Sequence, residues 1–427
     1  MTYNSLKIKS LLKDIQQKGF FHLLSANVLI QVFAFSSQLF VAGILSPDDI
    51  GRIKIIQSYL SIFSIVAGMG FNASTLKICS EKRNQQDQTN SLNAGVIFTI
   101  ISTIIVYFIV LILNYYNFLS SDSVIKWLIP LGLFPLISNS LFNIYTSYLQ
   151  AKKEIKLFSS ISIYNKLLSI ITLICFSYFW GIKGYYVAYN ISFILMALIT
   201  AYIIQKTNKF SFKIDIKNKF REHWVYAKPN FFAGIFSEIS SLLDIILISH
   251  IIKDMYEIGF YSFALTLTIA LKIFPVTVQQ IAIPYFSSFE TNKENFIKVF
   301  RKYNRLLYIV VFISLILFLV FTPLFVNLLF GDKYDKSFNF LIFLSIGWSI
   351  RNLIQLQSGA IFGLGKIKYN AYTVIFVLIG NLIIYPIAIY YFGIMGAAYA
   401  SISSGIIMWI SSGYFFRKAI KNSVWKN

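Results

Sequence analysis

Acid is scarce in this chain: 17 Asp and Glu stand against 38 Lys and Arg in 427 residues, and charged residues total only 13%. Soluble domains carry roughly 25%, so the chain lacks the polar surface that water demands. Two cysteines, Cys79 and Cys175, are too few for a disulfide framework. Neither has a His at ligand spacing, so no metal site is expected and both read as small apolar filler. No HExxH, GxSxG or paired-carboxylate arrangement occurs. Gly363-Leu364-Gly365-Lys366 is a poor nucleotide loop, because Ile367 stands where a magnesium-binding Ser or Thr is needed and no strand precedes it. No stretch between apolar runs exceeds about 25 residues, which leaves no room for an extramembrane catalytic domain. Neither an enzyme nor a cofactor is expected.

What is present is apolar: 57% of residues are hydrophobic and the mean hydropathy is +0.67. The solvent must be lipid. After a polar, basic start, the run 21–45 is too long for a signal-peptide core and lacks an Ala-x-Ala-like site, so it reads as a retained span. Runs of about 20 apolar residues, enough to cross a bilayer, lie near 21–45, 57–76, 92–114, 124–149, 157–180 and 184–205. Six more follow near 229–252, 258–289, 304–330, 337–362, 370–391 and 394–416. Pro275 and Pro284 predict a bent or broken eighth span. The one long charged segment, 206–228, holds seven Lys/Arg and divides the chain into lobes 1–205 and 229–427, six spans each.

The halves repeat. Trp180-Gly181-Ile182-Lys183-Gly184 returns 212 residues later as Phe392-Gly393-Ile394-Met395-Gly396, and Ile155-Lys156 returns as Ile367-Lys368. A fixed offset of half the chain points to duplication of a multi-helix unit, and in membranes such duplication builds transporters. With six spans per half, both halves enter the membrane in the same direction.

Segments on the amino-terminal side of the membrane (1–20, 77–91, 151–156, 206–228, 290–305, 363–370, 417–427) hold 28 Lys and Arg. The opposite segments (45–56, 115–126, 181–184, 252–258, 331–336, 392–396) hold seven. The bias puts both termini in the cytoplasm. It also accounts for most of the +21 net charge, and because the charge is spread over short loops no nucleic-acid partner is expected.

Three cations fall within spans (Lys166, Lys272, Arg351), as do two acids, Glu238 and Asp244. Each costs about 2.5–3.5 kcal/mol at a helix centre on insertion scales and so needs a partner or a watery cavity. Polar neighbours at helical spacing favour a cavity: Ser159, Ser162 and Ser169 beside Lys166, Thr268 and Gln279 beside Lys272, Gly347, Gln355 and Ser358 beside Arg351. The first span carries the stripe Asn27, Gln31, Gln38, and the seventh Ser237, Ser241, Asp244. Such Ser and Thr residues equally serve helix packing, a Lys near a span end can snorkel, and the two acids read either as charge partners or as proton carriers. A cavity richer in cations than in acids suits an anion, which Arg binds in bidentate fashion.

Four patterns carry a family resemblance. They are Leu45-Ser46-Pro47-Asp48-Asp49-Ile50-Gly51 with its counterpart Met255-Tyr256-Glu257-Ile258-Gly259-Phe260-Tyr261; Pro275 with Pro284-Tyr285-Phe286-Ser287; Leu149-Gln150-Ala151-Lys152 leading to Ile155-Lys156, echoed by Phe362-Gly363-Leu364-Gly365-Lys366-Ile367-Lys368; and the Gly-Ile-x-Gly pair. Over nearly its whole length the chain resembles the Wzx-type flippases of the MATE-like (MOP) superfamily. The resemblance implies an all-α integral membrane protein of 12 transmembrane helices in two six-helix lobes, located in the bacterial inner membrane. It implies transport of undecaprenyl-diphosphate-linked oligosaccharide repeat units to the outer leaflet for O-antigen, capsule or exopolysaccharide assembly, with H+ or Na+ as coupling ion. A polysaccharide polymerase and a chain-length regulator are the protein partners it suggests. The expected cavity residues are Arg351, Lys272, Lys166, Gln31, Gln38 and Gln355, with Asp244 and Glu238 for coupling or charge pairing. The alternatives are a cation-coupled multidrug exporter of the same superfamily and a membrane polysaccharide polymerase or ligase.

The charge bias yields a direct test of orientation. Alkaline phosphatase fused after Lys421 is expected to be inactive, and fused within 331–336 to be active. The reverse pattern overturns the assigned topology.

Overall fold

The computed structural model describes residues 33–207, 215–288, 292–423 and 425; Gln31 and Asn27 lie outside them. All regular structure among the described residues is helical. In chain order the helices are α1 (Phe33–Ile44), α2 (Pro47–Gly68), α3 (Phe71–Ser80), α4 (Gln85–Tyr115), α5 (Ser123–Leu133), α6 (Leu136–Ala151) and α7 (Ile155–Thr207). They continue with α8 (Ile216–Ile251), α9 (Met255–Thr268), α10 (Ala270–Ser288), α11 (Lys293–Phe330), α12 (Ser337–Asn352), α13 (Gln355–Gly363) and α14 (Lys368–Lys421). Nine stretches among the described residues are long and apolar enough to cross a membrane. The chain forms two compact units. The first contains Tyr59–Leu119, Ser123–Gly234 and the described chain up to Ile44; the second contains Leu45–Ser58, Ser120–Asp122 and everything from Ile235 onward.

The repeated motif is a repeated turn. At about 1.5 Å per residue, α7 and α14, with 53 and 54 residues, would each be more than twice as long as the roughly 30 Å hydrocarbon core. Each instead folds back at the first glycine of Gly-Ile-x-Gly. Gly181 has φ 60°, ψ −143° and Gly393 has φ 58°, ψ −145°, a conformation essentially confined to glycine. The second glycine lets the returning arm pass the first. A Cβ on Gly184 would lie 1.9 Å from the Phe176 carbonyl oxygen, and one on Gly396 1.9 Å from that of Ala388.

The Leu149 and Phe362 motifs repeat in the same way. Lys153 (φ 62°) and Gly365 (φ 68°) both end a helix in the left-handed region. In each case the next amide reaches back five residues, Glu154 N–H to Leu149 O and Lys366 N–H to Ile361 O, both at 3.0 Å, which is the Schellman closure. The Ser46 and Asp254 motifs both start helices. Asp49 N–H donates to Ser46 Oγ at 3.3 Å ahead of Pro47, and Tyr256 N–H donates to Asp254 Oδ1 at 2.9 Å. The two helix starts then pack on each other through glycine: a Cβ on Gly259 would sit 2.0 Å from Pro47 O, and one on Gly51 2.9 Å from Gly259 N.

Among the described residues four spans are interrupted: between α2 and α3, α5 and α6, α9 and α10, and α12 and α13. The eighth span breaks at Ile269, six residues before Pro275 rather than at it. Each proline lacks an N–H and so leaves the carbonyl four residues earlier without its helical donor. In lipid such a carbonyl must find another, and at three of the prolines an asparagine supplies it. Asn114 Nδ2 donates to Lys126 O (2.9 Å) below Pro130, Asn190 Nδ2 to Leu131 O (2.8 Å) below Pro135, and Asn352 Nδ2 to Leu271 O (3.2 Å) below Pro275. At the α2–α3 break, which Met69 (φ 44°) and Gly70 (φ 74°) turn, Ser102 Oγ donates to Ala67 O at 2.5 Å.

The segment read as a charged loop is helical from Ile216 onward, and α8 carries it into the next span. Arg83 clamps that start, pairing with Glu81 (2.7 Å), Asp87 (3.0 Å) and Glu222, while Lys219 pairs with Asp87 (2.6 Å). The Arg83 guanidinium holds the Glu81 carboxyl below the usual carboxylate range. Buried His223 ties three helices together, with Nε2 donating to Ser91 O (3.0 Å) and Nδ1 accepting from Ser74 Oγ (2.8 Å). Cys79 is buried and its thiol is pushed up to about 12 by that burial, which fits inert filler. Cys175 differs from the sequence reading: it is exposed on α7.

The proline–asparagine pairing predicts a non-additive pair of substitutions. Asn352→Leu keeps the branched shape and strands the Leu271 carbonyl, costing roughly 1–3 kcal/mol; thermal melting of the detergent-solubilised protein should fall. Adding Pro275→Ala restores a backbone N–H and should recover most of the loss. Additive losses would show that Asn352 has another role.

Candidate functional site

Six helices bring the site's side chains together within the second unit. Asp244 is buried on α8 at 8% exposure. Its Oδ2 accepts from the fully buried Tyr261 hydroxyl of α9 at 2.8 Å, and its Oδ1 from the Ile245 amide at 2.8 Å. Arg351, in the last turn of α12, is directed by its partners on α14: Nη2 donates to Ser404 Oγ at 2.8 Å and to Tyr385 OH at 3.3 Å. Its Nε is buried and has no protein partner. Asp244 lies within electrostatic reach of both Arg351 and Lys54 of α2. Three cationic side chains, Lys54, Arg351 and Lys272, thus share this part of the unit with one buried carboxylate.

An indole joins two of those cations. Trp348, one helical turn before Arg351, has the guanidinium carbon 5.2 Å from its ring centre and the Lys272 Nζ of α10 at 6.0 Å. Both distances are within cation–π range. Gly347 lets α12 approach α14: a Cβ there would lie 2.5 Å from Ser401 Oγ, so the two helices press together one turn from Ser404, which orients Arg351. The arrangement can hold a doubly charged anion. A guanidinium offers its planar fork, an ammonium adds charge, and the carboxylate limits the excess.

The other sequence-predicted residues fall as follows. Gln355 begins α13, and its carbonyl accepts from Gln279 Nε2 at 2.8 Å; the α12–α13 break takes it off the helix that carries Arg351. Glu238 is half-buried on α8 in the second unit. Lys166, half-buried on α7, and Gln38 of α1, whose Oε1 is buried without a protein partner, belong to the first unit. The Lys166 stripe is largely packing: Ser169 Oγ donates to Ser192 Oγ at 3.1 Å and Ser162 Oγ to its own helix. Gln31 lies outside the described residues.

Sequence reasoning missed Lys54, Trp348, Tyr261, Tyr385 and Ser404. Lys54 falls in the extramembrane segment 45–56 on hydropathy alone, although Ser46-Pro47-Asp48-Asp49 is a complete helix-start signal that places it two turns inside α2. Trp348 stands at i−3 from Arg351, a spacing that puts both on one helix face. The tyrosines carry no signal, since 27 of them are spread through the chain.

With this geometry in place, comparison with known proteins identifies the family. Residues 17–290 match the family model described as "Polysaccharide biosynthesis protein". The capsular polysaccharide biosynthesis protein CapF of Staphylococcus aureus is 24% identical over 419 residues, covering 94% of this chain and 99% of that one. A putative O-antigen transporter of Shigella flexneri is 25% identical over 206 residues, 48% of this chain and 49% of its own. Among solved structures, the lipid II flippase MurJ in an inward closed conformation superposes with a TM-score of 0.78 at 17% identity, over 95% of this chain and 91% of that one. An inward-facing multidrug resistance MATE family transporter of the MOP superfamily gives 0.72 at 13% identity, over 92% and 96%. At these identities the two structures establish a shared fold, that of an all-helical multi-pass membrane protein. The family match covers well over half of the sequence, and the chain belongs to the polysaccharide biosynthesis protein family.

Proposed function

We propose that this protein is a flippase that carries undecaprenyl-diphosphate-linked oligosaccharide units from the cytoplasmic to the outer leaflet of the bacterial inner membrane, by alternating access. On this reading twelve spans form two six-helix lobes, 1–205 and 229–427, joined by 206–228, with both termini cytoplasmic. The matched fold-back turns at Gly181 and Gly393 support the count, because each divides an over-long helix into two spans. The named relatives support the class: one is a capsular polysaccharide protein, one a putative O-antigen transporter, and the structural neighbour a lipid II flippase. A polymerase and a chain-length regulator would act on the cargo after release.

The observation that carries the reading is Arg351, a cation within a predicted span, oriented by Ser404 and Tyr385 and backed by an indole. It is suited to the diphosphate, with Lys272 on the same ring and Lys166, Gln38, Gln31 and Gln355 as further cavity groups. Asp244, with Glu238 on the same helix, is suited to couple transport to H+ or Na+, or to balance the cations.

Buried Asp244 also gives substance to the multidrug exporter, which needs an acid to hold organic cations. Lys54 weighs against it, adding a cation close to that acid. Ethidium accumulation in cells separates the two: the flippase reading expects no exclusion, whereas exclusion lost in Asp244→Asn would establish the exporter.

Arg351→Ala is expected to reduce surface polysaccharide more than tenfold at unchanged protein level, and Arg351→Lys to restore part of it, because charge survives without the fork. Removing only a structural partner of Asp244 would instead lower protein abundance, with recovery when Asp244 is also removed. Full activity in Arg351→Ala rejects the proposed site.

A further inference from the structure

The first unit holds a cavity of a different chemical kind. Its volume is about 310 Å³, at the lower end of the roughly 300–1,000 Å³ range of small-ligand pockets. None of the residues lining it is charged, in a chain where cations outnumber acids more than two to one. Its polar groups are the hydroxyls of Ser64, Thr99 and Ser140 and the carboxamides of Asn72, Asn143 and Asn230, with Phe231 and two isoleucines as apolar wall. The Ser64 and Thr99 hydroxyls are buried and have no protein partner. Asn143 and Asn230 each donate one amide hydrogen bond within their own helix, to Asn139 Oδ1 and Tyr226 O, and both side chains are exposed. The backbone agrees. The cavity lies at the α2–α3 break, where Met69 and Gly70 adopt positive φ, and irregular backbone at membrane depth is tolerated where it lines a polar cavity.

The lining selects by elimination. An anion would find no Lys or Arg here and a cation no carboxylate, while a purely apolar guest would desolvate three carboxamides without replacing their hydrogen bonds. A carboxamide donates and accepts at once, as do the vicinal hydroxyl and amide groups of a sugar, and Phe231 can cover a ring's C–H face. We propose that this cavity binds one uncharged sugar ring of the cargo, apart from the cationic cluster around Arg351 that takes the anionic end. The inference rests on the flippase reading only for the origin of the sugar; the site itself is tested by binding.

Gly68 is the probe. It lines the cavity, and nothing lies within 4 Å of where its Cβ would be, so a larger side chain grows into the space without displacing the fold. The full-length protein in lipid nanodiscs would be titrated with di-N-acetylchitobiose and, separately, with inorganic pyrophosphate, and ligand contact read by saturation-transfer NMR. The disaccharide signal of the wild type should fall at least fivefold in Gly68→Leu and in Asn143→Ala, the latter a truncation at an exposed side chain that leaves the core untouched. Pyrophosphate binding should persist in both variants and vanish in Arg351→Ala, which should keep the disaccharide. No disaccharide signal on the wild type, or one undiminished in both cavity variants, overturns the sugar site. Pyrophosphate binding unchanged in Arg351→Ala overturns the anion-site reading instead and leaves the sugar site standing.

Discussion

A backbone in lipid must hydrogen-bond to itself, and everything distinctive here follows from where this chain departs from that rule. Pro130, Pro135 and Pro275 each strip a carbonyl of its helical donor, and Asn114, Asn190 and Asn352 each reach from another helix to replace it. An asparagine buried for this purpose fixes the rotation of two helices at once. The Asn352–Leu271 bond joins α12 to α10, so the residue next to Arg351 is anchored to the helix that carries Lys272. The polar groups needed to repair broken helices thereby also set the relative placement of the two cations around Trp348.

The breaks also separate two chemistries. In the second unit, α12 and α14 pack closely at Gly347, and the charged groups Asp244 and Arg351 are held by Tyr261, Tyr385 and Ser404, the cluster proposed to take an anion. In the first unit, the break at Met69 and Gly70 opens an uncharged cavity of hydroxyls and carboxamides. A lipid-linked oligosaccharide has the same two characters, an anionic diphosphate and neutral sugar rings. The match concerns each unit taken separately.

Much of this was legible in the sequence. Charge scarcity gave the solvent, and the 212-residue offset located turns whose dihedrals agree to within a few degrees at Gly181 and Gly393. Glycine is readable because its role is local: a φ near +60° or a carbonyl 1.9 Å from a missing Cβ admits little else. Lys153 shows the limit, adopting at φ 62° the geometry that Gly365 provides in the other half, with no sequence sign of it. The site was read less completely. Arg351 and Asp244 stand out in the sequence because charge within a span is conspicuous, but a stripe drawn through Gly347, Arg351 and Gln355 assumes an unbroken helix, and the break at 353–354 separates its members. Lys54 is hidden because α2 starts at Pro47, ten residues before the apolar run near 57 begins. Tyr385 and Ser404 act through tertiary proximity, which periodicity does not encode.

The central claim is that this chain moves a lipid-linked saccharide across a bilayer using Arg351. Purified protein in liposomes loaded with a fluorescent polyprenyl-diphosphate oligosaccharide tests it most directly, through the rate at which inner-leaflet label becomes accessible to a membrane-impermeant quencher. The account predicts exposure well above that of protein-free liposomes for the wild type, and exposure at the protein-free level for Arg351→Ala. A wild type no faster than empty liposomes, or an Arg351→Ala variant as fast as wild type, would contradict it.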